Sequence, residues 1–273
     1  MNKTLLTLFS FFLVISVFAQ SNYKVKSDLK TYKQWKVDFS EDHNLLELAR
    51  LKDGEVAPAP RSHSDEVKRA LDAQRQRKIP VKSKTSYVTT KDDVKPELAA
   101  GWNGRPLGGS GVPNDNSMAI SNDGIVVSVI NTTATILDSD GNMLKFRTLS
   151  GIVAGQLGTL DRFYDPKVTY DPINDRFILV FLEGSNSSDT RIVVGFTETS
   201  DPTGIWNFYA LDGRPLGGAK WSDYPIIAHN ATDLYITVNL LRDNESWQEG
   251  FEQSFIWQVN KQDGYNGDAL GQN

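Results

Sequence analysis

The feature that most constrains the fold is a hexapeptide that occurs twice. Gly104-Arg-Pro-Leu-Gly-Gly109 returns letter for letter as Gly213-Arg-Pro-Leu-Gly-Gly218. The residues downstream of each copy are also alike. Asp115 is succeeded by Met118-Ala119-Ile120, Asn122 and the apolar run Ile125–Ile130. Asp223 is succeeded by Ile226-Ile227-Ala228, Asn230 and Leu234–Leu240. A third unit opens between them at Asp165, with Lys167-Val168-Thr169-Tyr170, so the three aspartates are spaced by 50 and 58 residues.

Within these units, Gly, Asp, Asn and Pro clusters punctuate short runs of Val, Ile, Phe, Tyr and Thr, the pattern of strands and tight turns. Strands are predicted at 117–121, 124–131, 133–137, 167–170, 176–183, 190–197, 206–211, 225–228, 233–240 and 254–260. Asp138-Ser-Asp-Gly-Asn142 reads as a hairpin turn. A unit of this length holding three or four strands is the size of a β-propeller blade. The expected fold is all-β and β-propeller-like, with about three four-stranded blades near 112–162, 163–212 and 213–270. Propellers close with 4–8 blades, so the expectation is an incomplete ring, the N-terminal part of a longer protein.

Residues 20–100 differ in texture and are expected to form a polar, partly helical leader or pro-segment. Asn44–Arg50 reads as a turn or two of helix, and Ala57-Pro-Ala-Pro60 breaks it. A second helical stretch starts at Ser64, a suitable N-cap with Asp65 and Glu66 after it, and ends before Pro80. Ahead of this leader lies a secretory signal, residues 1–19. Lys3 is its positive start, Leu5–Phe18 its apolar stretch, and Val17 and Ala19 its small-residue positions. The stretch is shorter than the roughly 20 apolar residues of a membrane span, and no later segment is apolar enough to be one. The expected location is therefore extracellular or cell-surface.

The chain has no cysteine, which removes disulfides, thiolate metal sites and thiol nucleophiles and leaves stability to the core. Charge is uneven. Residues 21–100 carry 17 Lys+Arg against 13 Asp+Glu, and residues 101–273 carry 11 against 21. So acidic a body argues against nucleic acid, which needs a basic footprint.

Two stretches resemble a known family. Asp165-Pro-Lys-Val-Thr-Tyr-Asp-Pro-Ile-Asn-Asp-Arg-Phe177 and Thr199-Ser-Asp-Pro-Thr-Gly-Ile-Trp206 look like blades of secreted bacterial β-propellers of the sialidase-like type. The second is similar to that superfamily's Asp-box, Ser/Thr-x-Asp-x-Gly-x-x-Trp. Thr199, Asp201 and Trp206 fall in place, and Gly204 sits one residue late. The resemblance implies a structural turn between the third and fourth strands of a blade, with Asp201 bonding its own turn, the glycine supplying an unusual φ and Trp206 packing the turn down. It also implies an enzyme hypothesis. Sialidases hold a substrate carboxylate with three arginines and use a tyrosine nucleophile. Arg147, Arg162, Arg176, Arg191 and Arg214, with Tyr164, Tyr170 and Tyr224, are available, but no pattern selects a triad and no Arg-Ile-Pro motif is present.

The candidate site comes from the repeats. Asp115, Asp165 and Asp223 each precede the first strand of a unit, and first strands line a propeller's axis, so these carboxylates are expected to ring one mouth of the channel. Arg105 and Arg214 lie in the repeated hexapeptide beside two of them. Such a ring can bind a cation or position a polar ligand. Alternatively each Asp pins the turn entering its strand. His43, His63 and His229 have no metal spacing. Asp138-x-Asp140-Gly141 resembles the start of a calcium loop but lacks the downstream Glu, so no cofactor is called for. Trp102, Trp221 and Trp247 are candidates for stacking on sugars. The function expected is binding or scaffolding without catalysis, toward a glycan or a cell-surface protein. The alternative is an extracellular glycan-active hydrolase. A surface-assembly protein is a third reading.

Overall fold

The computed structural model describes residues 31–41, 114–157 and 162–271. The signal segment, both expected helices, Trp102, His43, His63, Arg105 and the first hexapeptide lie outside the described residues. The described chain is β-rich and folds as three antiparallel sheets, a β-propeller-like array of three blades. The first blade is β2 (Ser117–Ile120), β3 (Val126–Ile130), β4 (Thr133–Leu137) and β5 (Met143–Thr148), in that order. The helix α1 (Leu149–Val153) comes next, capped where the Thr148 hydroxyl accepts the Gly151 N–H at 2.9 Å. The second blade is β6 (Phe163–Asp171), β7 (Arg176–Glu183), β8 (Arg191–Thr197) and β9 (Ile205–Asp212). The third is β10 (Lys220–His229), β11 (Asp233–Arg242) and β12 (Phe251–Asn260), with α2 (Trp247–Gly250) before β12 and α3 (Lys261–Asn266) after it.

A fifth strand, β1 (Thr31–Asp38), adds to the outer edge of the second blade, antiparallel to β9. It lies within the stretch read as a leader. Its signal was present: Trp35, Val37 and Phe39 alternate with Gln34, Lys36 and Asp38, a period of two, and the three apolar residues are buried. The other unforeseen strand is β5, where Lys145 and Arg147 mask the alternation. Both side chains reach across to the end of β1: Lys145 Nζ donates to Ser40 O at 2.9 Å, and the Arg147 guanidinium to Asp38 O.

The middle blade organises the array. Phe177-Ile-Leu-Val-Phe-Leu182 is apolar without a break because β7 is covered on both faces. Phe177, Leu179 and Phe181 join Val127, Val129, Ala134 and Ile136 of the first blade in one core. Ile178, Val180 and Leu182 join Leu234, Ile236, Val238 and Leu240 of the third in another. At the outer rim Trp35, Phe208 and Trp206 stack in a column, with centroids 5.8 and 6.0 Å apart, and Phe39 closes it 5.4 Å from Trp206.

The inner strands β2, β6 and β10 adjoin one another, with β6 between the other two. Each leads into a hairpin pinned by one side-chain oxygen. Ser121 Oγ accepts the Ile125 N–H, Asp171 Oδ1 those of Ile173 and Asn174, and Asn230 Oδ1 those of Thr232 and Asp233. At this end α3 is tied in. Lys261, 1% exposed, donates to Asp171 and, at 2.5 Å, to Asn230 O, and the Tyr265 hydroxyl donates to Asp171 Oδ2 at 2.8 Å. Burial works to raise the Asp171 carboxyl, but bonds from Lys261, Asn174 and Tyr265 outweigh it and hold it well below the usual range.

The Asp-box-like turn joins β8 to β9, the third and fourth strands of its blade. Asp201 Oδ1 accepts from Thr203 N at 2.8 Å, and the buried Trp206 donates its indole N–H to Pro202 O at 2.7 Å. The glycine does not do what the resemblance implied. Gly204 is not among the residues with positive φ, and an added Cβ there would meet only Asp201 O at an ordinary 3.5 Å.

Because Lys261 is the cation on the buried Asp171, Lys261→Ala leaves an uncompensated charge and is expected to destabilise the protein by about 3–5 kcal/mol. Urea denaturation at neutral pH measures this, and a loss under about 1 kcal/mol contradicts it.

Candidate functional site at the mouth of the inner strands

The end of the array opposite the pinned hairpins is where the inner strands begin, and each begins irregularly. The register breaks between Tyr164 and Lys167 in β6 and between Asp223 and Ile226 in β10. Inside these bulges Asp165 has φ 52° and Tyr224 φ 51°, and Asp115, ahead of β2, has φ 45°. Pro166 and Pro225 come next. Proline has no N–H for a ladder and is accepted in a sheet at such bulges. Asp and Asn tolerate left-handed backbone, but a bulky residue there is an outlier, so Tyr224 is the strained member of the three.

The repeat therefore runs in a different phase from the one expected. Tyr224, not Asp223, is the structural counterpart of Asp115 and Asp165. The two hexapeptides already contained this: Gly104 to Gly213 and Asp115 to Tyr224 are both 109 residues. Asp223 stands one position earlier, yet its carboxylate comes to the same place. Asp165, Asp223 and Asp115 are close enough to act on one another electrostatically. Asn131, at the end of β3, joins two blades here. Its Nδ2 donates to Asp115 Oδ2 and its Oδ1 accepts the Asp165 N–H, both at 2.8 Å.

Partial burial, then the charges of Asp223 and Asp115, push the Asp165 carboxyl up to about 6, with Lys167 and the Tyr224 N–H opposing. Burial raises Asp223 as well, against the Tyr224 N–H and Arg162. Two cations belong to the cluster. The Arg162 guanidinium lies 4.9 Å from the Tyr164 ring centroid, and Lys167 Nζ lies 5.8 Å from that of Tyr224. Beneath, the buried Tyr164 hydroxyl sits 2.7 Å from Gly184 O and 2.9 Å from Ser222 O, and its ring meets Trp221 edge-on at 6.4 Å. Tyr224 is 57% exposed, which leaves its ring available to a ligand.

The expected arginine differs from the observed one. Arg214 lies in a turn, where its N–H donates to Asp212 Oδ1 and its carbonyl accepts from Gly217. The cation acting on Asp223 is Arg162. Arg162, Lys167, Tyr224 and Asn131 were not singled out together from sequence. Their shared signal is position, within three residues of a bulge or at the end of the strand beside it.

Other candidates are engaged elsewhere. Arg147 is buried over the Phe39 ring, Arg176 bonds the carbonyls of Asn174 and Asp175, and Arg191 pairs with Glu183 at 2.8 Å. The structure does not gather these with Arg162 into a three-arginine site. Asp138 spends its carboxylate on Asp140 N, Asn142 N and Asn142 Nδ2, all within 2.9 Å, as a hairpin turn does. Among the described residues no group of three His, Asp or Glu side chains is arranged to hold a metal, and no helix is long and apolar enough to cross a membrane. A cavity of about 320 Å³ lies away from the mouth, between β1 and α1, lined in part by Trp35, Asp38, Arg147, Ile152 and Gln156.

No family model and no curated protein matches the chain. Among solved structures, a GH43 endo-arabinanase from Bacillus licheniformis is similar with a TM-score of 0.32 and 13% identity, over 53% of this chain and 52% of that one. The chain spans about half the length of the structure it matches.

The raised Asp165 carboxyl makes stability depend on pH. The folded protein holds this proton more tightly than the unfolded chain, whose reference value is 3.8. The resulting stabilisation is complete below that value and is lost as pH rises through about 6. Asp165→Asn keeps an acceptor and a residue suited to φ > 0. It is expected to match the parent near pH 4 and to exceed it by about 1 kcal/mol at pH 7.5, allowing for solvent screening. Urea midpoints at the two pH values test this, and an Asn variant less stable at pH 7.5 overturns it.

Proposed function

We propose that this chain is a secreted or cell-surface β-propeller-like binding module, and that its ligand is a hydroxyl-rich molecule such as a glycan. The observation that carries the reading is the convergence, where the inner strands begin, of Asp115, Asp165 and Asp223 with Arg162, Lys167 and the exposed ring of Tyr224. Carboxylates accept hydrogen bonds from sugar hydroxyls, Arg and Lys donate them, and an aromatic face takes the apolar face of a sugar ring. The backbone at Tyr224 supports it too. Holding a tyrosine at φ 51° costs on the order of 1–3 kcal/mol, and strain of that kind concentrates at functional positions.

One observation favours the alternative of a glycan-active hydrolase. Asp165 holds its proton to about pH 6 beside other carboxylates, and glycoside hydrolysis needs one protonated and one ionised carboxyl.

The two separate experimentally. A binding module retains a glycan in affinity electrophoresis and releases nothing from fluorogenic glycosides, whereas a hydrolase releases product between pH 5 and 6 and loses that activity in Asp165→Asn. Tyr224→Asn, a residue that accepts the backbone, is expected to keep the fold and weaken retention at least tenfold, about 1.4 kcal/mol. Retention of no glycan by the parent, or equal retention by the variant, sinks the glycan reading.

A further inference from the structure

We propose that the outer edge of β9, with the seam beside α1, is a strand-acceptor site, and that residues 31–41 occupy it through contacts that do not depend on their covalent connection to the rest of the chain. This is independent of the ligand assigned to the mouth.

The contacts come from every side of the strand. β1 pairs with β9 from Thr31 opposite Leu211 to Asp38 opposite Ile205, and the Phe39 N–H extends the ladder to Gly204 O at 3.0 Å. Trp35, Val37 and Phe39 point into the core shared by the first two blades. Trp35 and Phe39 are the ends of the aromatic column through Phe208 and Trp206. The polar groups reach further. Trp35 Nε1 donates to Ile152 O at 2.9 Å and Lys33 Nζ to Gln156 O at 2.6 Å, both beside α1. From the first blade Lys145 and Arg147 donate to Ser40 O and Asp38 O. Gln34 reaches Gly267 O, just beyond α3. One short strand is thus bonded to the first two blades and to the segment that follows α3.

Strand addition of this kind gives affinity through the main-chain ladder and specificity through alternate side-chain pockets. The occupant this groove fits is an extended segment with large apolar residues at every second position, as Trp35, Val37 and Phe39 provide. Without it, β9 would present open N–H and C=O groups along an edge, beside Trp206 and Phe208. The stretch read as a removable pro-segment therefore contains a piece of the folded body. Between residues 41 and 114 the sequence offers basic positions such as Arg50, Arg61, Arg69 and Arg75 to trypsin-like proteases. A cut at any of them yields a two-piece protein that keeps its first strand.

The test uses the full chain with a site-specific protease sequence inserted between Asp53 and Gly54. After complete cleavage, the piece bearing residues 31–41 is expected to co-elute with the body on gel filtration at micromolar concentration, and the melting temperature to stay within about 5 °C of the uncut protein. Release of that piece, whether the body stays folded or aggregates, overturns the proposal. Specificity is read by unfolding the cut protein in urea and refolding it with an excess of labelled synthetic peptide spanning residues 31–41. The wild-type peptide is expected to be incorporated and a Val37→Asp peptide to be excluded. Uptake of both or of neither overturns it.

Discussion

The rest of the structure depends on one sheet being apolar on both faces. A half-buried strand alternates and needs one partner layer, but β7 offers six apolar residues in succession, Phe177 to Leu182, and all are inaccessible. Such a strand is unstable unless a layer covers each side. The first blade supplies one through Val127, Val129, Ala134 and Ile136, and the third supplies the other through Leu234, Ile236, Val238 and Leu240. Burying a single Leu, Ile or Phe is worth about 1.5–3 kcal/mol, so the two faces of this sheet together outweigh any polar contact in the molecule. Neighbouring details obey the same crowding. Gly195 in β8 carries no side chain because the Phe208 ring occupies the space a Cβ would need.

That margin allows the mouth to be locally unfavourable. Three partly buried carboxylates within mutual range and a tyrosine held in left-handed backbone all act against folding. At the other end of β6 a carboxylate is treated in the opposite way. Asp171 is completely buried, yet it receives Lys261, Tyr265, Asn174 and two backbone N–H groups and is held ionised. One strand thus carries a structural acid and an available one. The former has its acceptor capacity filled by the protein, and the latter accepts the Tyr224 N–H while burial and two neighbouring carboxylates raise its proton affinity.

Much of the fold was legible because its signals were local. Ten of the strands announced themselves as β-branched and aromatic runs between turn residues, and the hexapeptide pair fixed the unit. The strands that escaped did so for physical reasons. In β5 the long side chains of Lys145 and Arg147 reach across to backbone carbonyls at the end of β1, so charge conceals burial. In β1 the alternation was plain, but it sat in a polar stretch far in sequence from the β9 edge that makes it a strand. Pairing of Trp35 with a residue as distant as Phe208 leaves no local trace. The three aspartates of the mouth were legible as a set. Their cationic and aromatic companions were not, because Arg162, Lys167 and Tyr224 are related only through the bulges.

The one-residue offset between Asp223 and Tyr224 says what is repeated in this chain. A strand shifted by one residue turns every side chain to the other face, and the backbone of the third blade is not shifted. In β6 and β10 alike two residues, Asp165-Pro166 and Tyr224-Pro225, stand against one on the neighbouring strand, and beyond the irregular start Ser117, Lys167 and Ile226 stand opposite Val129, Val180 and Thr237 in equivalent registers. What recurs is a backbone unit made of an irregular entry, an inner strand and a hairpin pinned by Ser121, Asp171 or Asn230. The residue at the entry stands outside the register pairs of its sheet, so neither the ladder nor the core behind it dictates the side chain there. It is Asp in two units and Tyr in the third for that reason, and the chemistry of the mouth can differ from blade to blade while the packing behind it stays the same.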